Sequence, residues 1–339
     1  MRARKQAAKK GTPPVIDPYL PGTGNFGYRV SRYELDLEYK VAINRLTGSA
    51  TITAVTLAEL QTFTLDLSAA LSVSKVTVNG KRPGNFRTTN GKLHISLTEK
   101  LRAGAAMTIS IRYAGTPRPI RSTWGEVGWE ELSEGVIVAS QPSGAPSWFP
   151  CDDHPSAKAP YRISITTDSP YYAIANGVLE SKRVRAAQTT WVYEQVEPMP
   201  TYLASIQIGQ YKQISLASKP IPVSGLVPSR LEENFGVDFG QQTEMMSAFV
   251  EMFGPYPFPQ YTVVVTDDEL EIPIEELRVG DIAVIRPGDR IAVDGKITEG
   301  RSAVDQSPIT GESVPVEKMV DNDVFAGSIN GEGALVVEV

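Results

Sequence analysis

The sequence is poor in the residues on which metal and thiol chemistry depend. It holds two histidines, His94 and His154, and one cysteine, Cys151. A lone cysteine excludes an internal disulfide. A helical His-Glu-x-x-His metal centre needs two histidines one turn apart. His94 and His154 lie sixty residues apart, so that centre is excluded. No Gly-x-x-x-x-Gly-Lys-Ser/Thr segment occurs, which removes the P-loop phosphate cradle, and no Asp-Lys-Thr-Gly-Thr phosphorylation segment occurs either. No run reaches the roughly 18 apolar residues of a membrane helix. The formal net charge of -6 argues against a general nucleic-acid surface. The opening MRARKQAAKKGTPP is basic and lacks the apolar stretch of a signal peptide, so residues 1–20 read as a solvated, disordered tail and the chain as soluble and cytoplasmic.

What is present is an ordinary globular composition, long enough for two or three domains. From Tyr28 to Tyr211 the text reads as strands. Tyr33 to Tyr39 alternates apolar and charged residues, the period of a sheet with one wet face. Thr51 to Thr56 and Thr62 to Leu67 repeat it, and Asn79-Gly80 and Asn90-Gly91 are hairpin turn signals. Leu93, Ile95 and Leu97 share one strand face, which places His94 on the other. Gln141 to Pro160 is crowded with proline and glycine and reads as an ordered loop. More strands are expected at Tyr161 to Thr166, Tyr171 to Ala175, Trp191 to Gln195 and Leu203 to Ile208.

The character changes near Thr243. Met246, Phe249, Val250 and Phe253 recur at helical spacing, with Thr243 as the expected N-cap and Gly254 and Pro255 as the stop. The apolar stripe reads as core packing. From Tyr261 onward short strands resume: Ile282 to Ile285, Lys296 to Thr298 and Leu335 to Val339. Turns are expected at Val279-Gly280-Asp281, Pro287-Gly288-Asp289, Asp294-Gly295, Glu299-Gly300 and Asn330-Gly331. This predicts a second, small β domain, with no internal repeat linking it to the first.

Several separated motifs stand in order in the first part. They are GVIVASQPSGAPSWFPCDDHPSAKAPYRISI (135–165), Ile174 to Leu179, Glu197 to Ala204 and Phe253 to Pro259. Over residues 20–270 this set resembles the gluzincin zinc aminopeptidases, the aminopeptidase N and leukotriene A4 hydrolase family. The resemblance implies a β-saddle or sandwich domain over 21–212 and a remnant of the thermolysin-like domain, with one helix, over 213–259. It sets Gln141 where the family lines the pocket for a substrate's amino terminus. Ser143 stands where an acidic residue is common, so Gln141 reads as vestigial. Zinc is expected for the full aminopeptidase, but its ligands are absent here. His154 beside Asp152 and Asp153 reads as structural rather than as a metal site, and Cys151 as a small packed residue. No metal site is expected.

Residues 276–339 carry Gly300 to Asp305, Thr310-Gly311-Glu312-Ser313 and Pro315 to Lys318. Together these resemble the actuator domain of heavy-metal P-type ATPases, a small distorted jelly roll. The resemblance implies that Glu312 is the base that dephosphorylates an aspartyl phosphate, with Thr310 and Gly311 shaping its approach. A glutamate on a glycine-permitted loop suits that task. Magnesium and ATP belong to the full transporter, and the phosphorylated aspartate is absent.

The expected whole is therefore a mainly β chimera without catalytic activity as an isolated chain. The alternatives are a fragment of either parent enzyme or a non-enzymatic interaction module. The seam is expected within 266–275 and the second domain over 260–339, with Tyr261 to Val265 and Leu270 to Pro273 forming a borrowed hairpin. The helix at 243–253, without its usual covering partners, is expected to leave an apolar patch and to favour self-association. Nucleic-acid partners and membrane segments are not expected.

Overall fold

The computed structural model describes residues 22–122, 125–132, 135–266, 274–311 and 314–339. The basic tail, the candidate return strand 270–273 and the pair Glu312 and Ser313 lie outside them. The chain divides into two compact units, the first ending at Asp267 and the second starting at Asp268.

The first unit opens with β1 (Tyr28–Lys40), whose alternation is the one read from the sequence. Tyr33, Leu35, Leu37 and Tyr39 are buried, while Asp36, Glu38 and Lys40 face solvent. Next in the chain are β2 (Arg45–Thr56), β3 (Leu60–Asp66), β4 (Leu71–Val78), β5 (Asn85–Thr89), β6 (Lys92–Leu101), β7 (Ala106–Gly115), β8 (Ile120–Ser122), β9 (Gly125–Leu132) and β10 (Gly135–Ala139). Beyond the loop come β11 (Lys158–Asp168), β12 (Tyr172–Ala175), β13 (Val178–Arg185), β14 (Gln188–Pro200) and β15 (Ile206–Gly209).

These strands build three sheets. One has seven strands in the order β13-β14-β11-β1-β2-β7-β4, in which β1 and β11 run parallel. The second has the order β12-β15-β10-β9-β8, and the third β3-β6-β5. Asn90 and Gly91 both take positive φ, 50° and 71°, so the turn between β5 and β6 twists as a two-residue hairpin requires. The buried faces of all three sheets contribute to one core. Trp129, Trp148 and Trp191 are among its largest fully buried side chains, each contributing on the order of 3 kcal/mol by removal from water. Tyr33 stacks on Tyr161 with ring centroids 4.9 Å apart, and Phe149 meets Tyr33 edge-on at 5.6 Å.

The unit continues with β16 (Tyr211–Ala217), β17 (Val223–Pro228), α1 (Glu232–Phe239), α2 (Gln242–Phe253) and β18 (Tyr261–Val264). Two details differ from the sequence expectation. The helix is entered through Gln241, and Thr243 lies inside its first turn. Gly240 already has helical φ and ψ, so the chain arrives from α1 without the extended residue that a side-chain cap needs. Of the expected core stripe, Met246 is buried, but Phe249 is 50% and Phe253 80% exposed. The predicted stop holds: Gly254 has φ 91° and its N–H closes on the Val250 carbonyl at 3.0 Å.

The second difference concerns β18. It pairs parallel with β17, Val223 opposite Tyr261 and Leu226 opposite Val264. Val264 packs against the first unit's core. The strand expected to open the second domain therefore completes the sheet β16-β17-β18 of the first.

The second unit holds β19 (Ile282–Ile285), β20 (Gly295–Asp305), α3 (Ser307–Thr310), β21 (Val316–Met319), β22 (Asp323–Val324), β23 (Ile329–Asn330) and β24 (Leu335–Glu338). The sheet runs β19-β24-β20-β21, with β22 and β23 also paired to β20. Ile285, Ile291, Ile297, Val304, Val324, Leu335 and Val337 form its core. Glu299-Gly300, expected as a turn, lies within β20 at a bulge. Gly300 has φ 88°, and a Cβ there would collide with the Ala334 carbonyl, so glycine serves a close strand approach rather than a reversal.

Candidate functional site

Two places carry the residues singled out in the sequence, one in each unit.

In the first unit the loop after β10 is fastened at several points. Its 3-10 turn, Ala145–Ser147, is fully buried, and Ser147 Oγ accepts the Trp129 N–H at 2.9 Å. Gly128 has φ 109°, and a Cβ there would strike both Ser147 Oγ and the Gly144 carbonyl. Cys151 pairs as an isolated antiparallel bridge with Asp66 at the end of β3. Its thiol is fully buried, and burial pushes its pKa well up, so it is packed and unreactive. Gln141 opens this loop and is exposed, while Ser143 is half-buried.

Beneath the loop lies a polar network that the sequence did not reveal. Lys92 forms an ion pair with Asp66 and donates to the Gly24 carbonyl at 2.8 Å. Asn25 Nδ2 donates to Asp66 at 2.6 Å, and the Asn25 N–H donates to Asp152 Oδ1 at 2.8 Å. The Asp153 N–H donates to Asp66 Oδ2 at 3.1 Å, and Thr201 Oγ1 donates to Asp153 Oδ1 at 2.5 Å. Burial pushes Asp152 up to about 6, opposed by its Asn25 hydrogen bonds. Burial pushes Asp153 up to about 7, with the neighbouring Asp66 and Asp152 charges adding to it. The partners come from segments 41 to 127 residues apart, so no local motif announces them.

This arrangement does not fit a zinc centre. Lys92 occupies one Asp66 oxygen, and His154 Nδ1 is engaged at 2.8 Å by the Ser156 hydroxyl of its own loop. His94 sits on β6, paired across strands with Thr64 and Arg87. Among the described residues no group of three His, Cys, Asp or Glu side chains is placed to hold a metal ion.

In the second unit β20 delivers Asp305 to the start of α3. Its Oδ1 accepts the Ser307 N–H at 2.8 Å. The Ser307 hydroxyl, and then this N–H, hold the carboxyl below its ordinary range. The short helix ends at Thr310, whose Oγ1 donates to the Gln306 carbonyl at 3.1 Å. Gly311 comes next, in the left-handed region, φ 77° and ψ 0°, its N–H closing on the Ser307 carbonyl at 3.0 Å. Thr310 and Gly311 are both exposed, so the turn itself lies at the surface. Glu312, the expected base, lies outside the described residues.

Comparison with known proteins also assigns the two parts of the chain to different families, with the second match beginning nine residues before Asp267, the end of the first compact unit. Residues 30–203 match the family model of the peptidase M1 N-terminal domain, and residues 258–339 that of the P-type ATPase actuator domain. Among solved structures, a two-domain M1 zinc metallopeptidase bound to L-arginine superposes with a TM-score of 0.67 at 26% identity, covering 74% of this chain and 59% of that one. The M1 zinc metallopeptidase from Deinococcus radiodurans gives 0.66 at 26% identity, with 74% and 59% covered. A probable cadmium-transporting ATPase of Alkalihalophilus pseudofirmus is 56% identical over 71 residues, 21% of this chain and 10% of that protein. A probable copper-exporting P-type ATPase V of Mycobacterium tuberculosis is 41% identical over 98 residues, 29% of this chain and 12% of that protein. The chain thus spans about a tenth of the transporters it matches and 59% of the peptidase. Among the described residues no helix is long and apolar enough to cross a membrane.

Proposed function

We propose, from the premise that this chain belongs over residues 30–203 to the peptidase M1 N-terminal domain family, that it acts without catalysing peptide hydrolysis. The observation that carries this reading is the donor inventory. Two histidines sixty residues apart cannot form the His-Glu-x-x-His centre on which a zinc peptidase activates water. Gln141 then remains as one exposed group of an amine pocket whose other members this chain does not supply. The test is turnover of an aminoacyl chromogenic substrate with added zinc. The expected result is no rate above a protein-free control; zinc-dependent turnover overturns the reading.

A second reading concerns the actuator-type unit. The exposed left-handed turn at Gly311 supports it, because such a turn can carry Glu312 into another molecule. In this reading the unit docks in trans on a phosphorylated partner. Capture on an immobilised phosphoenzyme mimic, compared between the parent and Glu312→Gln, tests it. Equal absence of capture for both removes it.

A further inference from the structure

A groove of about 570 Å³ opens on the first unit, where β2 and β4 begin and β7 ends. Its polar lining is Arg45, Arg118, Ser72, Ser74 and Thr116. The register explains why they converge. Leu46 of β2 and Leu71 of β4 both pair with Gly115 of β7 and point into the core. Arg45 and Thr116 each lie one residue beyond the Leu46–Gly115 pair; one step inward, Thr47 and Ser72 flank Ala114 on the solvent face. Cross-strand partners share a face, so these groups project together. The floor is Ala114 and Gly115, where a Cβ on Gly115 would strike the Ala70 carbonyl. Small residues below and long cations at the rim make the concavity.

The charges are one-sided. No carboxylate lines the groove. Asp36 and Glu38 pair with Ser49 and Thr47 of β2, which makes Glu38 a diagonal neighbour of Arg45, but neither lines the groove. Glu131 accepts the Asn44 amide at 2.6 Å. Arg45 and Arg118 form no ion pair among the described residues. The Ser74 hydroxyl donates to the Arg112 carbonyl at 3.2 Å, which leaves Ser72 and Thr116 as the available hydroxyls. Two cations that form no ion pair among the described residues, with two hydroxyls beside them, give the groove a lining that attracts anions.

We propose that this groove binds the phosphoryl group of a small phosphorylated molecule. A guanidinium offers paired N–H donors to two oxygens, and two such forks with two hydroxyls match a tetrahedral phosphoryl group. A planar carboxylate has too few oxygens to use them all. The groove is wider than a bare phosphate and leaves room for an organic portion of the ligand beside the phosphoryl group.

Isothermal titration of the full chain with inorganic pyrophosphate, at low salt, tests the assignment. Saturable one-to-one binding is expected, weakened about tenfold or more by Arg45→Gln and by Arg118→Gln, each of which removes charged hydrogen bonds. Both arginines are exposed, so the variants are expected to keep the parent's Tm. Sulfate and citrate are the comparison arms. Absence of saturation by about 10 mM overturns the proposal, as does a double variant that binds within about threefold of the parent. Citrate binding as tightly as pyrophosphate overturns the phosphoryl assignment.

Discussion

Replacing Asp153 by asparagine is expected to flatten the pH dependence of the first unit's stability. Asp153 is 2% exposed, its Oδ1 is held by Thr201, and its Oδ2 is buried without a partner among the described residues. Its folded pKa is about 7 against an ordinary 3.8. Below 3.8 the carboxyl is neutral in both states and carries no penalty. Between the two values the unfolded chain releases the proton while the folded one keeps it, so stability falls as pH rises and levels off above about 7. About three pKa units at 1.36 kcal/mol each give an upper figure of about 4 kcal/mol. The neighbouring Asp66 and Asp152 charges contribute part of that shift, which places the expected effect of this one group at about 2–4 kcal/mol. Asparagine keeps the shape and the acceptor for Thr201 but does not ionise.

The assay is urea unfolding read by tryptophan fluorescence. All four tryptophans, Trp124, Trp129, Trp148 and Trp191, precede Asp267, so the signal reports the first unit alone. Asp153→Asn is expected to match the parent within about 1 kcal/mol at pH 4 and to exceed it by about 2–4 kcal/mol at pH 8. With an m-value of about 3 kcal/mol/M, that is a midpoint gain of about 1 M. A difference that stays constant between the two pH values, or shrinks toward pH 8, refutes the argument.

Three further outcomes are expected. Phe249→Glu combined with Phe253→Glu should lower apolar-dye binding and any concentration-dependent self-association, because both rings are at least half exposed on α2; a parent that is monomeric at high concentration and binds no dye contradicts the patch. Hydrogen exchange should find the Tyr261 and Val265 amides protected, since they donate to the Pro222 and Leu226 carbonyls at 2.9 Å each; exchange at the rate of an unstructured peptide contradicts the β18 pairing. Gly311→Ala should cost the second unit about 1–2 kcal/mol through its left-handed φ alone, as open space surrounds the site; this is read by circular dichroism, with the tryptophan transition unmoved.

Much of the β architecture was legible because strands with one wet face write their burial into the text. Tyr33 to Tyr39 and Leu93 to Leu97 bury the residues that alternation selects. The strand Ile282–Ile285 coincides with its expected bounds. Other elements carried no such signal. In α1 only Phe235 is buried and Gly236 interrupts the run, so tertiary packing rather than propensity makes the helix. β18 was legible as a strand, but its pairing with β17 was not, because alternation states that a strand exists and not what it pairs with. The acid network shows the same limit at the level of a site. Asp152 and Asp153 were visible as a pair in a loop, while their partners Asp66, Lys92 and Asn25 and the burial that raises their pKa values come from distant segments. The glycine-permitted turn at Gly311 was legible because a left-handed glycine is a local property.

The parallel docking of β18 on β17 also bears on where this chain can be cut. The actuator family model begins at residue 258, whereas compactness places the division after Asp267. Excision at the family boundary would remove Tyr261–Val264 from the first unit and bare one flank of β17, where the Pro222 and Leu226 carbonyls would lose their partners. An uncovered edge of that kind recruits strands from other molecules. A first unit expressed to residue 267 keeps β17 covered by its own strand, and one ended at 257 is the preparation expected to aggregate.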